Sequence, residues 1–270
     1  MKTLLTLSLA SLALLAGTAH AQGMPLTTTT GSDIGVQVSG YTYEEEVDGA
    51  FFMDLQGNKL GLSGSFTEAR DNGWFWGGDL RYASGHVEYR SAGTGEMSGI
   101  RDYYIDARLT FGQDFEAGGQ VWAPYAGLGY RYLNNDLRGY SSTGAMGYRR
   151  TSQYVYLPLG VTHRFRVNTE ARFATTLEYD YLLQGLQRSY LTDVTGYDSD
   201  MDNLQRRGYG LRLNLAYETP GWSAGVFFHY WDIADSDIGT ATKPGPTIVA
   251  GYEPENTTRE VGVMLKYRFN

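Results

Sequence analysis

From residue 33 onward, the chain alternates between apolar and polar positions. In the last segment the odd-numbered positions from Val261 to Phe269 are apolar or aromatic, whereas Lys266 and Arg268 occupy even-numbered positions. Successive residues of a β-strand point to opposite faces, so this period of two predicts strands with one apolar and one polar face. Helical periodicity is almost absent. The pattern predicts about ten strands, near 33–45, 58–69, 73–88, 101–112, 120–134, 152–165, 170–186, 209–218, 222–230 and 261–269.

The connections between these strands alternate in predicted length. Short turns are expected at 71–73, 113–119, 166–169 and 219–221, and long polar loops at 46–57, 89–100, 135–151, 187–207 and 232–257. Short periplasmic turns, long extracellular loops and an even strand count are typical of bacterial outer-membrane barrels. The sequence therefore predicts an all-β protein with a single transmembrane antiparallel up-and-down barrel, whose two ends both lie in the periplasm.

Aromatic residues mark the two ends of the apolar face at a constant interval of eight residues. An even interval keeps both members of a pair on one face, and eight residues of a tilted strand span roughly 20 Å, close to the apolar band of such barrels. Two aromatic girdles around a lipid-facing band are expected; the alternative is the ordinary preference of strands for aromatic residues. The pairs are Trp74 and Tyr82, Tyr103 and Phe111, Trp122 and Tyr130, Phe173 and Tyr181, Tyr209 and Tyr217, and Trp222 and Tyr230.

The N-terminus has the features of a secretory signal peptide. Lys2 precedes an apolar run over 4–15, and Ala19-His20-Ala21 provides a small-x-small cleavage site. The run is too short for a transmembrane helix, which needs roughly 20 apolar residues. We expect residues 1–21 to be removed after Ala21, 22–31 to be a flexible N-terminal segment, and 32–270 to form the barrel in the outer membrane of a Gram-negative cell.

Composition narrows the class further. The chain has no cysteine, so neither disulfides nor a cysteine-ligated metal is expected, and no cofactor is predicted. Mean hydropathy is −0.36, a value compatible with strands whose apolar and polar faces cancel. The net charge of −8 argues against nucleic acid as a partner, because phosphate recognition needs a basic surface.

The face opposite the apolar one is charged, and in a transmembrane barrel it lines the lumen. A ten-stranded barrel is narrow, so these acids and bases are expected to form ion pairs that plug the interior; a selective narrow pore is the alternative. Inward glycines, such as Gly129 and Gly160, would make room for large side chains opposite them. A soluble lipocalin-like barrel would have the opposite arrangement, with the apolar face inside. The predicted lumen charges are Asp79, Arg81, Asp102, Asp106, Arg108, Arg131, Arg164, Arg172, Glu178, Asp180, Arg212, Glu218, Lys266 and Arg268.

Two histidines are candidates for catalysis. His229 is expected on the inward face near the outer mouth, where Asp180 or Asp232 could reach it, but the Asp-x-His pattern of omptin proteases is absent. His86, with Ser84 or Ser91, is the only match to the His–Ser pair of lipid-modifying barrels. A histidine that only makes hydrogen bonds in a polar lumen is the simpler interpretation. No catalytic residue is predicted; an omptin-like protease or lipid-modifying enzyme is the alternative function.

Three further features concern partners. Arg138, Arg149 and Arg150 in the third loop could contact lipopolysaccharide phosphates, or could form an ordinary basic loop. The alternate acids of 198–203 suit a calcium loop, but the turn glycine and distal glutamate are missing, so no metal is predicted. Tyr267 and Phe269 resemble the terminal signal read by the barrel-assembly machinery, although Asn270 follows the phenylalanine.

Several stretches resemble a proteobacterial group of outer-membrane barrels that includes the Protochlamydia outer membrane protein family. The resemblance covers most of the mature chain and implies an integral barrel, structural and surface-exposed or narrow and porin-like, without catalytic residues. The stretches are 124–133, 147–150, 156–160, 187–191, 231–236 and 256–262.

Overall fold

The computed structural model describes residues 23–245 and 247–269. The predicted signal peptide, its cleavage near Ala21 and the last residue, Asn270, lie outside these ranges. Apart from one short 3-10 helix, Leu191–Asp193, all elements are strands. They are β1 (Gly31–Val47), β2 (Ala50–Ala69), β3 (Trp74–Ser91), β4 (Gly95–Gln113), β5 (Phe115–Ala117), β6 (Gln120–Tyr140), β7 (Met146–Asn168), β8 (Ala171–Ser189), β9 (Met201–Gln205), β10 (Gly208–Glu218), β11 (Trp222–Ile233), β12 (Gly239–Lys243), β13 (Thr247–Gly251) and β14 (Glu255–Phe269).

Ten of these strands close into one barrel. Each pairs antiparallel with its sequence neighbour, and β14 pairs with β1 along the register from Ser32–Phe269 to Glu46–Glu255 to close the cylinder. The prediction of a ten-stranded antiparallel up-and-down barrel is confirmed. The barrel strands are β1, β2, β3, β4, β6, β7, β8, β10, β11 and β14. Of the rest, β5 pairs with β6, β9 pairs with β8, and β12 and β13 form a separate hairpin.

Three of the predicted long loops are wrong. Over 46–57, 89–100 and 135–151 the strands continue beyond the predicted boundaries and meet in short turns. The first turn is Asp48-Gly49, where both residues have positive φ, 53° and 72°. This geometry favours a two-residue hairpin. Polar side chains do not end these strands, because the hydrogen bonds that pair two strands join backbone groups and not side chains. Three hairpins therefore project beyond the apolar band.

The two ends of the barrel differ. We call the end at which β1 begins and β14 ends the turn end, and the opposite one the loop end. Residues 23–30, most of the segment predicted to be flexible, lie in the mouth of the turn end. Met24 is buried there, Arg172 donates to the Pro25 and Thr27 carbonyls at 2.5 and 3.0 Å, and Thr28 bonds Asp114.

The barrel presents its apolar side outward. Along β14, Val261, Val263 and Leu265 are each more than half exposed, whereas the buried positions of the barrel include many charged and polar residues. This distribution is the reverse of that in a soluble lipocalin-like barrel. Among the described residues, no helix is both long and apolar enough to cross a membrane.

Candidate functional site in the barrel lumen

A cluster of two arginines and four acids occupies the turn-end half of the lumen. Arg212 on β10 donates from Nε to Asp180 Oδ2 at 2.6 Å and from Nη2 to Asp106 Oδ2 at 2.8 Å. Arg108 on β4 pairs with Asp79 at 3.1 Å and with Glu178. Because β6 and β7 lie between β4 and β8, the pair of Arg108 with Glu178 joins strands that are not neighbours in the sheet.

Tyrosine hydroxyls complete this cluster. Tyr125 donates to Glu178 Oε2 at 2.6 Å, and Tyr156 donates to Asp106 Oδ1 at 2.6 Å. Buried carboxylates need such donors, because an ion removed from water without partners costs several kcal/mol. Glycines make room for both rings: a Cβ at Gly160 would overlap Tyr125, and one at Gly129 would overlap Tyr156.

The middle of the lumen holds a second network, built around Tyr104 and Glu260. Tyr104 Oη lies 2.9 Å from Glu260 Oε2 and accepts from Arg81 Nη2 at 3.0 Å. Arg81 also donates to Gln37 Oε1 at 2.9 Å. Four strands, β1, β3, β4 and β14, thus meet at one phenol–carboxylate pair.

Arg131 and three aromatic residues fill the space beside this network. The guanidinium of Arg131 lies 5.1 Å from the Trp231 ring, which contacts Tyr154 and Tyr156 at centroid distances of 6.0 and 5.0 Å. All four side chains are buried. A cation over aromatic faces in a desolvated site is favourable by roughly 2 kcal/mol.

A third polar group lies further toward the loop end. Lys59 on β2 pairs with Asp102 on β4, which also accepts from Asn135. The Lys59 ammonium lies 3.8 Å from the centre of the Tyr41 ring. Side-chain exposure of Lys59 and Asp102 is 0% and 1%, so the pair is shielded from water on all sides.

These layers divide the lumen into two separate cavities. One of about 450 Å³ lies toward the turn end and is lined in part by Arg108, Lys266 and residues of the 23–30 segment. The other, of about 580 Å³, lies at the loop end. Between them, a small void of about 10 Å³ lies beside Arg131 and Trp231.

The loop-end cavity, which we call the cup, has a charged floor. Arg150 on β7 pairs with Glu45 on β1, five strands away in the ten-stranded cylinder, and with Glu253 between β13 and β14. Tyr43 donates to Glu45 at 2.8 Å and lies 3.2 Å from Glu253. Burial raises the pKa of Glu253 to about 8; Arg150 opposes the increase and Glu45 adds to it.

The remaining predicted lumen charges lie at the turn end. Arg172 pairs with Glu218 at 2.6 Å, and Arg164 lies 3.5 Å from Asp114. Arg268 donates to the Thr29 carbonyl at 2.7 Å. Lys266 lines the turn-end cavity. Most of these groups hold the 23–30 segment or its neighbours in place.

The structure does not assemble either candidate catalytic pair of the alternative function. His229 Nδ1 accepts from Arg81 Nη1 at 2.5 Å, and Nε2 lies 3.4 Å from Asn214 Oδ1. Asp180 pairs with Arg212 instead, and Asp232 accepts from Tyr230 on the outward side. A general base needs a free acceptor nitrogen, which this arrangement occupies.

His86 lies on the outward face rather than in the lumen. It is exposed and pairs across the sheet with Asn58 and Arg101. Ser84 shares that outward face, and among the described residues no hydrogen bond joins Ser84 or Ser91 to this histidine.

One of the three loop arginines was placed wrongly. Arg150 is buried in the lumen, because the strand alternation continues through the predicted loop, so it cannot reach lipid phosphates. Arg138 and Arg149 are partly exposed and pair with Asp136 and Asp193 at 2.7 and 2.9 Å.

The acidic stretch 198–203 uses its carboxylates within the protein. Asp200 accepts from Thr192 at 2.7 Å and Asp202 accepts from Arg188 at 2.6 Å. Within residues 23–245 and 247–269, no group of three potential metal-ligating side chains is found.

The aromatic pairs lie on the outer surface. Trp74, Tyr82, Phe111, Trp122, Tyr130, Tyr181 and Trp222 are exposed, and Tyr103, Phe173, Tyr209, Tyr217 and Tyr230 are half-buried. The half-buried rings contact other outward rings, as in Tyr209 with Tyr179 and Tyr217 with Trp222. Tyr267 and Phe269 are exposed at the turn end of β14.

Sequence reasoning missed Lys59, Glu260 and the cup floor. Glu45 has the same parity as the buried Tyr41 and Tyr43, so the alternation of the predicted strand 33–45 already places its side chain inside. Glu253 gives no such signal, because it lies between strands and reaches the lumen only through the path of the loop.

No family model matches the chain, and no curated protein matches it, so the resemblance to the Protochlamydia family stays a prediction. Among solved structures, the outer membrane protease OmpT from Escherichia coli is similar in fold, with a TM-score of 0.62 and 13% identity over 89% of this chain and 96% of that chain. An outer membrane channel from Pseudomonas putida F1 aligns with a TM-score of 0.42 and 10% identity, over 94% and 100% of the two chains. The first likeness shows the fold alone, and the second is too weak to support an argument.

Proposed function

We propose that this protein is an integral outer-membrane barrel with a sealed lumen, which acts through its loop end at the cell surface. The apolar outward face, bordered by aromatic residues, suits a lipid environment, and the turn end, at which every described connection is short, suits the periplasmic side. The aromatic residues at the two ends of the band would then lie at headgroup level.

The observation that carries this proposal is the filled middle of the lumen. The buried side chains of Arg131, Trp231 and Tyr104 separate the two cavities, and the void that they line measures about 10 Å³. A hydrated ion needs a continuous aqueous path, which barrels of eight to ten strands rarely leave once side chains fill the interior. Diffusion of solutes is therefore not the role that the geometry favours.

Planar-bilayer conductance of the refolded protein tests the proposal. The wild-type barrel should give no discrete openings. The triple variant Tyr104→Ala, Arg131→Ala, Trp231→Ala should give openings, because removal of these side chains joins the two cavities.

Two controls accompany this measurement. A shift in gel mobility between boiled and unboiled samples verifies that each variant folds as a barrel. Deletion of residues 23–30 should leave the barrel silent, since the seal lies in the middle of the lumen and not in the turn-end mouth. Stepwise openings of the wild-type protein would contradict the sealed lumen.

A further inference from the structure

The cup is an open-mouthed cavity whose wall is largely apolar. Its volume of about 580 Å³ lies within the range of roughly 300–1,000 Å³ common for small-molecule sites. Methionine is flexible and polarisable, so a methionine-rich wall adapts to apolar bodies of different shape. The wall includes Met53, Met97, Met146, Met201, Leu137 and Leu191.

Two apolar clusters form opposite sides of this wall. Met53 and Leu137 belong to one, built from the hairpins that extend β1 to β6 beyond the band, and Leu191 and Met201 belong to the other, under the β12–β13 hairpin. The cup therefore arises where the extended hairpins face the two longest loops. No part of this wall is needed to close the middle of the lumen.

The charged floor gives the cup its polarity. Of the described residues that line it, the charged ones are Glu45, Glu253 and Arg150, so the ionised floor holds one excess negative charge. The single guanidinium is shared by both carboxylates. A buried excess charge is unfavourable unless a proton or another cation balances it.

A second observation shows that the floor's hydrogen bonding is incomplete. Nε of Arg150 is buried and has no acceptor among the described residues, although the side chain is only 6% exposed. The floor thus offers a donor for a ligand oxygen as well as carboxylates for a ligand cation. A buried donor without an acceptor is unfavourable, and a bound ligand oxygen would supply the missing hydrogen bond.

We propose that the cup binds a small amphipathic amine, with its apolar body among the methionines and its ammonium hydrogen-bonded to Glu45 and Glu253. A hydroxyl or carbonyl oxygen near the amine would accept from Arg150. This proposal rests on the proposed function, since it requires the loop end to face the outside. The anionic analogue is disfavoured, because both carboxylates would repel it.

The probe is 4-phenylbutylamine, compared with the neutral 4-phenyl-1-butanol and the anionic 4-phenylbutyrate. Binding is measured by calorimetry on the barrel in nanodiscs, with empty nanodiscs subtracted to remove partitioning into lipid. The amine should bind and the carboxylate should not. Equal binding of amine and carboxylate would overturn the proposal.

Variants locate the site. Glu253→Gln should weaken amine binding about 10- to 100-fold, the effect of one charged hydrogen bond, and leave alcohol binding unchanged. Glu44→Gln removes an equal charge from the outward face of the same strand and should change nothing. Ala145→Trp, which fills the cup from its rim, should abolish binding of both amine and alcohol.

The pH profile provides an independent readout. Glu253 is faced by Arg150 and Tyr148 from β7, Glu45 and Tyr43 from β1, and Gln187 from β8. Because its raised pKa of about 8 keeps a proton on the empty floor, amine affinity should rise between pH 6 and 9 as that proton leaves. In Glu253→Gln the profile should be flat; an unchanged slope would overturn the assignment to this residue.

Failure of this proposal and failure of the proposed function give different results. If the barrel folds, shows no conductance and does not bind the amine, only the proposal of an amine site in the cup is rejected. If the chain stays soluble without detergent, or if the barrel conducts ions, the proposed sealed outer-membrane barrel is rejected, whether or not the amine binds.

Discussion

Gly129 of β6 lies opposite Tyr156 of β7, and the tyrosine ring occupies the space where a larger residue at 129 would place its Cβ. The ring must stay there for its hydroxyl to reach Asp106 and Arg212, at 2.6 and 2.8 Å. The glycine is thus a packing requirement of the polar cluster.

Gly129→Ala should destabilise the barrel by about 1–3 kcal/mol, because overpacking displaces the ring and its hydrogen bonds. The free energy of unfolding in urea, measured in lipid vesicles, checks this. Gly40→Ala is the matched control, since Gly40 faces outward and its nearest neighbour atom would lie 4.0 Å from the new Cβ. Equal effects of both substitutions would argue against the packing role.

Arg212→Met should destabilise the barrel by about 3–5 kcal/mol, since it leaves buried carboxylates without their shared partner. Arg212 serves Asp106, Asp180 and Glu178 at 2.8, 2.6 and 3.1 Å. Arg206→Met, which breaks an ion pair whose side chains are 67% and 52% exposed, should change stability by less than about 1 kcal/mol. A loss for Arg212→Met no larger than that control would show that the cluster does not stabilise the fold.

Leu177→Arg should destabilise the bilayer-embedded barrel by about 2–4 kcal/mol, because Leu177 lies on the outward face midway between Phe173 and Tyr181, and a charge there faces hydrocarbon. Leu177 is 55% exposed, and Ile248 in the β12–β13 hairpin is 70% exposed. Ile248→Arg should therefore be neutral, since the hairpin lies outside the band. Equilibrium unfolding in vesicles measures the loss of stability in each variant. Equal losses in the two variants would show that the outward face meets water and not lipid.

The protonation of Glu253 links stability to pH. Its folded pKa of about 8 exceeds the ordinary glutamate value near 4.3, so the folded state binds the proton more tightly than the unfolded chain does. Its contribution to stability is complete below about pH 4 and declines as pH rises toward 8, levelling off above that value. The thermal midpoint of the wild type should fall over this window relative to Glu253→Gln.

The matched control for this profile is Glu44→Gln, which should follow the wild-type curve because Glu44 lies on the outward side of β1. Parallel curves for wild type and Glu253→Gln across the whole range would show that this carboxyl does not titrate as the structure implies.

The sequence alone determined the closed barrel and the face that each regular strand position takes. The period of two and the short connections at one end leave few alternative folds. Shifting a strand by one residue would turn all its apolar side chains inward and all its charged side chains outward. For the same reason the predicted inward set, including Arg81, Asp106 and Arg212, lies in the lumen.

Only the tertiary structure decided the partners of these groups and the end of each strand. Arg150 and Glu45 pair across the cylinder, and Glu253 reaches them from a connection between strands. The local sequence pattern predicts neither contact. Periodicity is a property of neighbouring residues, whereas the cup and the seal depend on which walls face each other. That depends on the closure and register of the whole barrel.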